Sequence, residues 1–195
     1  HSILCLMTYI CVMKKFIYAS IFCILSNNIY AKDVIIIDTS ENTSKKQALV
    51  ILNGFGDSKK NRKIQKEFFK GRGYDLFIPE YIERESIELS ASAFSYFYEK
   101  NNLDEYKELK FLCYIIGGFV LNQHIEKNGK GKITTIIYDR SPTQERAPRV
   151  ATEKLPFISR ILYGKVLSDF SKQKLTPLSN SDGLTIGVII ENKAT

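Results

Sequence analysis

The eight residues Phe111 to Gly118, FLCYIIGG, constrain this chain most. An apolar run that enters a Gly-Gly pair and continues into helix-forming spacing predicts a strand, a sharp turn and a helix. The same rhythm recurs along the chain. Val34 to Ile37, Ala48 to Leu52, Tyr74 to Ile78, Leu109 to Ile115, Ile133 to Tyr138 and Leu184 to Ile190 are nearly continuous in β-branched and aromatic residues, as strands buried on both faces are. Between them, Lys59 to Lys70, Ser86 to Lys100 and Gly118 to Lys127 carry helical spacing. This alternation predicts an α/β fold, a mostly parallel sheet with helices on both faces. In such a sheet, ligands bind beyond the carboxyl ends of the strands. The loops that matter are then Asn53 to Ser58, Pro79 to Glu85, Ile115 to Gly118 and Asp139 to Arg149.

A nucleophile elbow, G-x-S-x-G, holds a Ser on a strained strand-to-helix turn with small residues on either side. Here the five positions are Cys113, Tyr114, Ile115, Ile116 and Gly117. Cys keeps the first small position loosely, Gly117 keeps the last, and Ile115 stands where the Ser would be. An Ile side chain has no atom that can attack a carbonyl. Upstream, Leu49 to Ser58 runs from a strand into Asn53-Gly54-Phe55-Gly56. This stretch resembles the loop, usually His-Gly-Phe-Gly, that supplies the oxyanion hole in lipase-like α/β-hydrolases. On these two turns the chain resembles a divergent member of the α/β-hydrolase family from about Ala48 onward, with Ile in place of the nucleophile.

The resemblance implies a binding region made of Asn53, Phe55, Gly56, Ile116, Gly117 and Arg140, with the backbone N–H groups of Phe55 and Ile116 as the oxyanion pair. The same glycines also fit a plain tight turn in which Asp57 or Ser58 caps the next helix. A small lid-like insertion is expected near 142–172. The strand, acid, final helix and His of a complete hydrolase are not found before Thr195, so an incomplete C-terminus is expected.

A Ser-His-acid triad cannot be assembled from the expected mature residues. The histidines are His1 and His124, and His124 lies nine positions beyond Ile115, where it reads as a surface or groove residue. Ser141, in Asp139-Arg140-Ser141-Pro142, is a weak candidate for a displaced nucleophile. Arg140 or Arg146 could hold a carboxylate or phosphate bidentately; the plainer reading has Asp139 and Arg140 paired or capping the lid helix, with Pro142 fixing the turn. Gly54-Phe55-Gly56 also has the start of a dinucleotide fingerprint, but the third glycine would fall at Lys59. One Cys and one His in the mature part do not make a zinc site, so no cofactor or metal is expected.

Met13-Lys14-Lys15 precedes the apolar run Phe16 to Leu25 and a small residue at Ala31. This is the layout of a secretory signal peptide, shorter than the roughly 20 apolar residues of a membrane span. A leader over 1–31 and a domain over 32–195 are expected, hence export to a periplasmic or secreted location, with an anchored form as the alternative. Three of the four cysteines fall in the leader, which leaves Cys113 without an internal disulfide partner. With 44% hydrophobic and 25% charged residues, the chain can build one core and is not disordered. Loss of Lys14 and Lys15 would take the net charge from +7 to +5, too modest an excess to point to nucleic acid. Its densest cluster, Lys59 to Arg72, reads as a solvated helix face over a buried stripe of Ile64, Phe68 and Phe69, or as a surface for an anionic membrane.

Three functions remain open. One is an exported, non-catalytic binder of a small apolar or acyl ligand. The second is an ester or lipid hydrolase with a relocated nucleophile and catalytic residues beyond the C-terminus, and the third is an envelope interaction module.

Overall fold

A computed structural model describes residues 32–40, 42–140, 153–154, 156–173 and 183–189. The strands are β1 (Val34–Ile36), β2 (Gln47–Leu52), β3 (Tyr74–Ile78), β4 (Glu108–Tyr114), β5 (Ile133–Asp139) and β6 (Thr185–Ile189). They form a six-stranded sheet in the order β1-β3-β2-β4-β5-β6. β1 pairs antiparallel to β3, and every other neighbouring pair is parallel. The expected strands all appear, within about one residue at their described ends. The β4 strand stops at Tyr114 and not at Ile115, because Ile115 leaves the strand region at φ 47°.

The helices are α1 (Lys59–Phe69), α2 (Ile87–Lys100), α3 (Ile116–Asn128), α4 (Pro156–Tyr163) and α5 (Val166–Lys172). Along β4, Leu109, Phe111 and Cys113 point into the larger core, where they meet Phe94 and Phe97 of α2 and Ile116, Val120 and Leu121 of α3. The opposite face of the sheet holds a smaller cluster of Leu49, Ile51, Leu76 and Ile78, against which Phe69 of α1 packs. Two-sided burial is what makes β2 read as an unbroken apolar run.

The α1 helix is not held by the stripe its spacing suggests. Ile64 and Phe68 are 58% and 56% exposed, and the helix's buried residue is Arg62. The Arg62 guanidinium donates to Asp57 Oδ2 at 2.7 Å, to the carbonyls of Ile78 and Pro79 at 2.8 and 2.9 Å, and to the carbonyl of Lys32 at 2.9 Å. A planar donor set satisfied on several sides can sit in an interior that would otherwise reject its charge. At the start of the helix, the Ser58 Oγ accepts from the Asn61 N–H at 3.2 Å as an N-cap.

At the opposite end of the strands, a second buried charge pair fixes the start of β3. Asp75 accepts from Lys46 Nζ at 2.8 Å, from Tyr106 Oη at 2.7 Å and from the Asp38 N–H at 2.9 Å. Three donors on one carboxylate make this a fully bonded buried ion.

The segment expected to hold a lid contains α4 and α5; residues 142–152 of it lie outside the described residues. Val166 and Leu167 of α5 are buried. The turn between the two helices docks on the loop after β3, where the N–H groups of Lys165 and Val166 both donate to the Arg84 carbonyl, at 2.7 and 3.1 Å.

Candidate functional site

The parallel order β2-β4-β5 lines up three carboxyl ends. Leu52 pairs with Cys113, and Tyr114 with Asp139, so the turns at Asn53, Ile115 and Arg140 emerge side by side. The first two turns touch. A Cβ added to Gly54 would lie 2.9 Å from the Tyr114 carbonyl oxygen and 3.3 Å from the Ile115 Cβ. Only glycine lets the loop approach the elbow this closely. Gly56 follows at φ +86° and turns the chain toward the Ser58 cap.

Ile115 has φ 47° and ψ −106°. A β-branched residue at positive φ is a backbone outlier, and conformations of this kind cost about 1–3 kcal/mol each. The turn from β4 into α3 is therefore strained at Ile115. The Ile115 N–H donates to the Asp139 carbonyl at 3.2 Å, which ties the elbow to the end of β5. Replacing Ile115 by Gly should be nearly neutral, within about 1 kcal/mol, because relief of strain offsets the lost apolar contact. A urea titration that showed a loss above about 3 kcal/mol, as for a relaxed core Ile, would mean that the turn stores no strain.

Around these turns lies a pocket of about 350 Å³ lined by Asn53, Gly54, Phe55, Gly56, Asp57, Asn61, Ile64, Gln65, Tyr114, Ile115 and Arg140. That is within the range of small-molecule sites. Of the residues expected from the sequence, Asn53, Phe55, Gly56, Ile115 and Arg140 line it. Ile116 and Gly117 do not: Ile116 is fully buried in the core, and Gly117 is buried against Leu52. Ser141 and Arg146 lie outside the described residues.

The Asn53 side chain is already engaged. Its amide exchanges two hydrogen bonds with Gln65, at 2.9 and 2.7 Å, and the Asn53 backbone carbonyl accepts from the buried Tyr81 hydroxyl. The pair fastens α1 to the loop. Phe55 stacks edge-on against Tyr163, with ring centroids 5.5 Å apart, and lies 6.0 Å from Phe170, so α4 and α5 both reach the loop. Arg140, at φ 59°, donates from Nε to Asp139 Oδ1 at 3.1 Å, the pairing that the sequence left open. Burial, and then the Asp139 carboxylate, raise the Tyr114 phenol above its ordinary pKa.

His124 is neither at the surface nor in a groove. It is 6% exposed, its Nδ1 lies 3.0 Å from Ser95 Oγ and 3.1 Å from Asn128 Nδ2, and the Phe94 and Tyr98 rings pack on it. Burial lowers its pKa, which favours the neutral imidazole. Burial likewise pushes the Cys113 thiol up, away from the reactive thiolate. Among the described residues, no group of three or more His, Cys, Asp or Glu could hold a metal ion.

No family model matches the chain, and no curated protein matches it. Solved structures do. One is MGS-MChE2, an α/β hydrolase enzyme from the metagenome of sediments from the lagoon of Mar Chica, Morocco, with a TM-score of 0.50 and 15% identity over 73% of this chain and 63% of that one. Another is the Bacillus licheniformis lipase BlEst2 in mature form, with a TM-score of 0.50 and 12% identity over 71% of this chain and 60% of that one. This chain has an α/β-hydrolase fold. It spans less than two thirds of the length of either neighbour. Within this α/β-hydrolase fold, Ile115 stands at the turn from β4 into α3, beside the Asn53–Gly56 turn that follows β2.

Asn61, Ile64, Gln65 and Tyr114 were not expected at the site. The signal for the first three was the i, i+4 pair Asn61 and Gln65 on the helix that opens directly after the loop. Apolar spacing, which places Ile64 in the core, hides it.

Proposed function

We propose that this is an exported, non-catalytic protein of α/β-hydrolase fold that binds a small apolar or acyl ligand at the elbow. The observation that carries the reading is the 350 Å³ pocket built against an elbow whose apex side chain is Ile115. Phe55, Ile64, Tyr114 and Ile115 offer apolar surface, while Asn61, Gln65 and Arg140 place polar groups around it. That mixture suits an acyl chain with a polar head. Export rests on the basic and apolar leader at Met13 to Leu25.

Calorimetric titration with decanoate, beside fluorophosphonate labelling of the same preparation, tests the reading. Saturable decanoate binding without serine labelling is the expected result. Ile115→Asp should weaken binding at least about tenfold, because it removes apolar contact and sets a second carboxylate beside that of decanoate. Absence of binding, or a labelled serine at any mapped position, overturns the reading. Labelling at Ser141 in particular would make the protein a hydrolase with a relocated nucleophile.

A further inference from the structure

The α1 helix presents its apolar residues to solvent. Ile64 and Phe68 are one helical turn apart and more than half exposed, in line with Lys60. Lys63 is exposed beside that row, Lys59 and Lys66 are exposed farther round the helix, Lys70 is exposed at its C-cap, and the Arg72 guanidinium lies 4.2 Å over the Phe68 ring. Glu67 is the only acid from Lys59 to Arg72. Among the described residues none of these lysines makes a salt bridge. A solvated helix keeps its charges outward and its apolar groups inward. Here the inward position is taken by Arg62, which turns Ile64 and Phe68 out beside Lys60 and Lys63.

We infer that α1 is a docking surface for an anionic lipid membrane, with Ile64 and Phe68 entering the interface and Lys60, Lys63 and Arg72 contacting lipid phosphates. Both halves of that arrangement are needed for binding at a membrane surface, cations for the headgroups and apolar side chains for the acyl boundary. A nucleic acid or soluble polyanion would use the lysines and gain nothing from an exposed Ile. Ile64 also lines the elbow pocket, so a seated α1 brings the pocket rim to the lipid. Membrane binding itself requires nothing of the pocket.

Sedimentation of the full chain with vesicles of phosphatidylcholine, with and without phosphatidylglycerol, tests this. The expected result is binding to the anionic vesicles only, weakened by salt. The double variant Ile64→Ser, Phe68→Ser keeps every charge and should bind at least about tenfold more weakly. Lys60→Glu with Lys63→Glu should weaken binding by about fivefold or more for each charge changed. Both pairs are exposed, so circular dichroism and melting should stay those of the parent. Failure of the parent to sediment with anionic vesicles overturns the inference, and so does undiminished binding of the serine variant.

Discussion

Gly117→Ala should destabilise the protein by about 3 kcal/mol or more, or leave it unable to fold. A Cβ at this position would lie 2.4 Å from the Leu52 carbonyl oxygen and 2.8 Å from the Leu52 Cβ. The first of these atoms is backbone inside a strand, so no rotamer change can relieve the overlap, and the cost lies at or above the upper end for overpacking. Relief requires the first turn of α3 to move away from the end of β2. Those are the elements that hold Ile115 beside Asn53 and Gly54, so a folded fraction should also lose affinity for any pocket ligand. Gly187→Ala is the matched control, since its added Cβ would meet Ile137 at an ordinary 3.6 Å. Urea titration of both variants decides the matter: a Gly117→Ala protein within about 1 kcal/mol of the parent would mean that β2 and α3 are not in the close contact described.

That contact was half legible in the sequence. Gly117 could be read as the small residue of an elbow, because G-x-S-x-G and Cys113-Tyr-Ile-Ile-Gly117 share a spacing that follows from local geometry. Its partner could not, since Leu52 lies far away in sequence and only the parallel pairing of β2 with β4 brings it there. The strands were legible for the same local reason: burial on both faces writes a continuous apolar run. Pocket residues contributed by the helix were not. Periodicity assigned Ile64 and Phe68 to the core because it counts apolar spacing and has no view of the acceptors that await a cation. The carbonyls of Lys32, Ile78 and Pro79 meet only in the folded chain, and together with Asp57 they outbid two apolar side chains for the buried position. His124 is a similar case. Its concealment depends on Phe94, Ser95 and Tyr98 of α2, which reach it only when α2 packs on α3.

Arg62→Met should therefore cost about 3–5 kcal/mol, although it replaces a charged residue by an apolar one of similar length on a helix rich in lysine. The Asp57 side chain is 11% exposed and its partner at 2.6 Å is Arg62, so the substitution leaves a carboxylate nearly buried without its cation. It also strips donors from the carbonyls of Ile78 and Pro79, each of which then bears a desolvation penalty. Arg62→Lys should recover only part of the loss, because one ammonium cannot reach acceptors spread over the Lys32, Asp57, Ile78 and Pro79 positions at once. Arg62→Met combined with Asp57→Asn removes both charges and should be more stable than Arg62→Met alone, as expected when the dominant cost is the unpaired carboxylate. Chemical denaturation of the parent, Arg62→Met, Asp57→Asn and the double variant gives the coupling directly. Because Asp57 lines the pocket and α1 carries Asn61, Ile64 and Gln65 into it, decanoate affinity should fall with Arg62→Met and return with stability in the double variant. If Arg62→Met stayed within about 1 kcal/mol of the parent, the arginine would be a passenger, and α1 would owe its seat to Phe69 and the Asn53–Gln65 amide pair.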